Sequence, residues 1–164
     1  MIDHPAVSRR GLRRATIAAL CGGLAGVFVT AMVLLTVADV VLRAIVNRPI
    51  RGSYELIELF LTCSFFFALP ATFLRDEHIV VDVIDGIAPA QVPLLKRIAE
   101  VVAGVTLGVM AWQSWLVAAD AIAFGDITSD LALPRILYWI PVLAGLVGSA
   151  IAALVMALRR DRDR

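Results

Sequence analysis

The chain has 164 residues, of which 60% are apolar and only 18% charged, with a formal net charge of +1. A mean hydropathy of +0.88 is too high for a water-soluble domain, whose surface is normally rich in charge. Once the apolar stretches are set aside, no remaining segment is long enough to bury a core of its own. Any chemistry must therefore sit among membrane helices or on another chain.

Four stretches lack Asp, Glu, Lys and Arg altogether: Ile17–Ala38, Leu59–Leu74, Val101–Ala119 and Ile136–Leu158. A spanning helix needs about 20 mainly apolar residues. Three stretches meet or nearly meet that length. The second does so once extended back to Tyr54 through Glu55 and Glu58. The fold class is an all-α integral membrane protein with four transmembrane helices, divided into a basic tail (1–14), one membrane domain (15–158) and a second basic tail (159–164).

In chain order, Arg9, Arg10, Arg13 and Arg14 precede a 22-residue apolar run, longer than a usual signal core, with no A-x-A-like site after it. They are read as a topological anchor rather than a cleaved signal. Helix 1 is predicted from about Ala15 to Val46, with Asp39 and Arg43 as an i,i+4 pair reaching interfacial water near its end. Asn47–Gly52 forms a tight turn around Pro49. Helix 2 starts near Ser53, with Glu55 and Glu58 at the positive end of its dipole, and Pro70 should kink it.

Between helices 2 and 3, Arg75, His78, Asp82 and Asp85 fall on one helical stripe opposite Ile79, Val80, Val83, Ile84 and Ile87. This predicts an amphipathic helix lying in the lipid interface. Pro89 and Pro93 should break it before helix 3, which spans about Ile98 to Phe124. A polar loop, Gly125–Leu133, follows. Pro134 suits the first turn of helix 4, and Tyr138 and Trp139 the interfacial aromatic belt.

Lys and Arg counted on alternate sides number eleven against four. That bias predicts both termini in the cytoplasm. Gly22/Gly26, Gly104/Gly108 and Gly145/Ser149 are small residues four apart, suited to close helix contact within the chain or with a partner. Every ionised side chain lies near a helix end. The middle of the membrane offers chiefly Thr30, Thr36, Thr62, Ser64, Thr106, Gln113 and Ser114, residues that commonly bond between helices. A self-sufficient carrier would need a charge or a broken helix at mid-membrane.

Cys21 and Cys63 are too few for a thiol relay, and His4 and His78 too few for a haem bundle. One His with scattered Asp is poor ligand chemistry, so His78 and Asp82 are read as an interfacial hydrogen-bonding pair rather than a metal site. No cofactor, metal, catalytic residue or nucleic-acid partner is expected, and membrane lipid is.

Three groups carry a family resemblance: Asp39-x3-Arg43-x3-Asn47-x-Pro49, then Ser53-Tyr54-Glu55, then Arg75-x2-His78-Ile79-x-Val81-Asp82. With the chain length, the four spans and the Ser129…Pro134…Tyr138 stretch, they resemble the small, DctQ-type membrane subunit of tripartite ATP-independent periplasmic (TRAP) transporters. The chain departs from many relatives in having Tyr54-Glu55 where they have a Trp and two adjacent Glu, and Asp76-Glu77 where they often have a Gly.

The resemblance implies a subunit of an inner-membrane symporter. A large permease subunit carries the substrate and sodium sites, and a periplasmic binding protein delivers an organic acid or similar solute. Asp39, Arg43, Glu55, His78 and Asp82 are candidate structural or partner-interface residues. Arg48, Arg51, Asp126 and Asp130, the main exposed charges on the outer side, are candidates for docking the binding protein. The rival reading is a small homodimeric multidrug or cation exporter, which needs an intramembrane carboxylate and has only Asp39 to offer.

Overall fold

A computed structural model of the protein describes residues 9–75 and 92–159. Four α-helices make up nearly all of it: α1 (Arg9–Val46), α2 (Ser53–Arg75), α3 (Val92–Phe124) and α4 (Ile136–Arg159). Each contains a stretch long and apolar enough to cross a membrane: Ala15–Val46, Ser53–Phe73, Arg97–Phe124 and Ile136–Leu158. The interfacial helix expected between the second and third spans, with His78 and Asp82, lies outside the described residues.

The helix ends follow from local chemistry. Asn47 takes a left-handed backbone (φ 53°) and closes α1, a role open to Asn because its short polar side chain tolerates that region. Gly125 (φ 63°) closes α3. There the amides of Gly125 and Asp126 bond back to the carbonyls of Ile122 and Ala121, the paired bonds of a Schellman cap. Two expectations about proline need correcting. Pro93 does not precede α3 but lies in its first turn, where a missing N–H costs no helical bond. Pro134 sits just ahead of α4, where it pairs with Ile127 in an isolated antiparallel bridge.

The helices stand in a row in the order α1–α2–α4–α3, each packed chiefly on its immediate neighbours. The two end helices show it in their burial. On α1, Ala18, Cys21, Ala25, Phe28, Met32, Leu35 and Asp39 form one covered stripe at alternating spacings of three and four. Nearly all the rest of that span is exposed. On α3, Glu100, Gly104, Leu107, Ala111, Ser114, Ala118 and Ala121 do the same. This spacing is the seam of a left-handed helix pair. Helix α4 is covered on two sides, with 44% of its span buried against 11% for α1 and for α3.

Small residues set the contacts of α4. A Cβ on Gly145 would collide with the backbone of Phe66, and one on Gly148 would press on Pro70 at 3.3 Å. Pro70 has no N–H, so the Phe66 carbonyl lacks its usual helical donor. That carbonyl lies against Gly145, where the bare Cα lets the two backbones meet. On the other side, Gly104 of α3 faces Ala153 and Leu154. Gly26 and Gly108 face open space, whereas Ser149, the partner of Gly145 in the third small-residue pair, is fully buried.

Between α1 and α2 the contact is aromatic. The Phe28 ring lies 6.1 Å from that of Phe60 and 5.9 Å from that of Phe67. The mid-membrane threonines do not bond between helices as expected. Thr30, Thr36, Thr62 and Thr106 each donate to the carbonyl four residues back in their own helix, which satisfies the hydroxyl without a partner helix.

The α2–α4 contact gives a direct test. Gly145→Leu should overpack the Phe66 backbone and cost roughly 2 kcal/mol, read as a lower thermal midpoint in detergent. Gly108→Leu, into open space, should leave the midpoint near that of wild type. Equal midpoints for both variants would refute the packing assignment.

Candidate functional site

A dense group of hydrogen-bonded polar residues lies where the α1–α2 turn meets the α3–α4 loop. Asp39 is almost wholly buried, at 6% exposure. It does not reach interfacial water as the sequence reading expected. Its Oδ2 accepts from Arg43 Nη2 at 2.9 Å, and its Oδ1 accepts from the Ile50 amide at 2.8 Å. The Ser53 side chain also lies near this carboxylate, and the Tyr54 side chain lies beside Arg43. One carboxylate thus ties the end of α1 to the turn that leads into α2. A charge-assisted bond to a backbone amide is what makes its burial tolerable.

Glu55 points the other way, into the α3–α4 loop. That loop is a small hairpin. The Thr128 amide donates to the Leu133 carbonyl and the Arg135 amide to the Asp126 carbonyl, and Ala132 takes a left-handed backbone at the tip (φ 51°). Glu55 Oε2 accepts from the Thr128 hydroxyl at 2.6 Å and the Leu131 amide at 3.0 Å, while Oε1 accepts from the Asp130 amide at 2.7 Å. The Ser129 amide also faces this carboxylate. Successive N–H groups in a turn form a cup for an anion, and here the anion is a side chain from another helix.

Three more contacts lock the same joint. The Thr128 hydroxyl accepts from the Leu133 amide at 3.0 Å while donating to Glu55. The Tyr138 hydroxyl donates to the Glu55 backbone carbonyl at 2.8 Å. Gly52, buried and left-handed at φ 70°, lies under the Leu131 side chain, which occupies the space any Cβ would need.

Of the residues singled out from the sequence, Asp39 and Arg43 are brought together. Glu55 is separate from them and forms its own centre. Arg48, Arg51, Asp126 and Asp130 are all exposed at this loop end. Nothing in the sequence marks Thr128, Leu131, Tyr138 and Gly52 as parts of one joint. Thr128 lies 73 positions from Glu55, and no local periodicity signals that pairing.

Four apolar spans, with short hydrogen-bonded turns joining the first to the second and the third to the fourth, define a polytopic membrane protein. Residues 32–163 match the family described as the DctQ component of tripartite ATP-independent periplasmic transporters, and the chain belongs to that family. It is a transport component, and the family is not one of enzymes. No curated protein and no solved structure matches the chain.

The joint makes a specific prediction. Glu55→Ala removes the acceptor for two or more loop amides, so the amides of Asp130 and Leu131 should exchange with solvent severalfold faster. Glu55→Gln keeps one acceptor oxygen and should fall between. Unchanged exchange in Glu55→Ala would show that the hairpin holds its shape unaided.

Proposed function

We propose that this chain is the small, stationary subunit of a TRAP transporter in the bacterial inner membrane. It packs beside a large permease subunit that imports an organic acid or similar solute with sodium, and a periplasmic binding protein delivers that solute. The observation that carries the reading is the row of helices. Four helices side by side enclose no path between them, and the described spans hold their charges towards their ends. A chain of this form contributes surface to a transporter rather than a pathway.

The rival exporter reading needs a carboxylate free to carry protons or a cation. Asp39 is the candidate, and its oxygens are occupied by Arg43 and Ile50. That weighs against the rival. The eleven-to-four bias of Lys and Arg supports cytoplasmic termini. The α1–α2 turn and the α3–α4 loop then face the periplasm.

In this orientation Arg48, Arg51, Asp126 and Asp130 stand on the periplasmic face as docking charges for the binding protein, and Asp39, Arg43 and Glu55 hold that face in shape. His78 and Asp82, with the interfacial helix expected around them, would serve assembly on the cytoplasmic side.

Affinity purification of the tagged chain in mild detergent should recover a near-equimolar multispanning permease. His78→Ala/Asp82→Ala should lower that recovery without abolishing substrate capture by the binding protein. A clean homodimer that transports when reconstituted alone would overturn the reading. Neutralising Arg48, Arg51, Asp126 and Asp130 together should slow transport and weaken its salt dependence, because rim charges act mainly on association rate. Unchanged rates at low and high salt would remove these four residues from docking.

A further inference from the structure

Beside the Glu55 joint, the first turns of α2 and α4 frame a cleft of about 320 Å³, within the size range of small-molecule sites. Its walls include Glu58 from α2, Arg135 just ahead of α4, and Tyr138 and Trp139 from the start of α4. The Glu55 carboxylate and the Tyr138 hydroxyl are already engaged, the first with the hairpin and the second with the Glu55 carbonyl. Glu58 and Arg135 are not. Both lie close enough to act on the Tyr138 phenol, yet their side chains make no hydrogen bond or ion pair with each other or with any other described residue. Opposite charges that line one cleft without pairing suit an occupant that carries both signs.

The position of the cleft selects among such occupants. It opens at the ends of two membrane spans, the level at which phospholipid headgroups lie and at which Trp and Tyr collect. Tyr54, Glu58, Leu61 and Phe65 fall on one exposed stripe of α2, so the surface below Glu58 continues into the hydrocarbon as an apolar track. We propose that the cleft binds the headgroup of a zwitterionic aminophospholipid, its phosphate on Arg135, its ammonium on Glu58 and an acyl chain along Leu61 and Phe65. This rests on the cleft alone and is independent of which subunits accompany the chain.

The test is lipid analysis of the full chain purified from its native membranes in mild detergent. Phosphatidylethanolamine should be enriched severalfold over phosphatidylglycerol relative to the bulk membrane. Glu58→Gln/Arg135→Gln should return the ratio to that of the bulk. Glu58→Gln alone, which leaves the cation unopposed, should shift the preference towards phosphatidylglycerol, an effect that loss of shape does not produce. Asp126→Asn, outside the cleft, should keep the wild-type ratio.

A second measurement needs no variant. In vesicles doped with a photoactivatable phosphatidylethanolamine, labelling of the wild-type chain should fall on peptides containing Glu58 or Arg135. A bulk lipid ratio in the wild-type chain, or enrichment unchanged in the double variant, would overturn the proposal. Displacement of the lipid by soluble phosphoethanolamine at comparable concentration would also overturn it, in favour of a soluble zwitterion. Photolabelling absent whenever a permease is bound would assign the cleft to protein contact instead.

Discussion

The loop end of the molecule depends on the Glu55 carboxylate. It closes the cup of amides at Ser129–Leu131 and so sets where α4 begins relative to α2. A hairpin this short has few internal bonds, and its tip includes a non-glycine residue in the left-handed region. An anion that satisfies several donors at once offsets the cost of that conformation. Gly52 belongs to the same constraint, because only a residue without a Cβ lets Leu131 close over the start of α2. The Asp39 centre repeats the device on the neighbouring turn, with a carboxylate accepting from a backbone amide.

Along the middle of the described spans, apolar contacts join the helices. Lipid tails are as apolar as leucine, so burying apolar side chains between helices brings little gain, and close backbone approach supplies the association. The sequence of contacts fits this: a proline-freed carbonyl against Gly145, Gly104 against Ala153 and Leu154, and a stack of phenylalanines between α1 and α2. The exposed flanks of α1 and α3 carry Leu, Val, Ile and Trp side chains that lipid solvates as well as protein does.

Much of this was legible in the residues. The four spans followed from runs without charge, and the C-terminal end of α1 and the start of α2 followed from Asn47, Gly52 and Ser53, whereas α1 begins at Arg9, ahead of the expected Ala15. The Asp39–Arg43 pair followed from helical spacing. What stayed hidden was everything requiring knowledge of which helices adjoin. A row and a closed bundle share the same hydropathy pattern, because in lipid an exposed valine and a buried one are equally at home. The threonines were misjudged for the same reason, since a hydroxyl in a helix can close on its own backbone. Glu55 read as a dipole residue at a helix start, which it also is. Its loop partners were invisible because a backbone amide carries no mark in the residue code.

The separation of Glu55 from Thr128 by 73 positions bears on how the molecule is made. Chains are synthesised from the N-terminus, so the first helical hairpin is complete while the residues that clamp it are still unmade. Through that interval the Glu55 carboxylate lacks the loop donors that hold it in the finished fold. The joint closes only when the second hairpin has crossed the bilayer in the matching direction, for otherwise Thr128 emerges on the wrong side. The Glu55–Thr128 contact is therefore open only to chains whose two halves were inserted with the same sense.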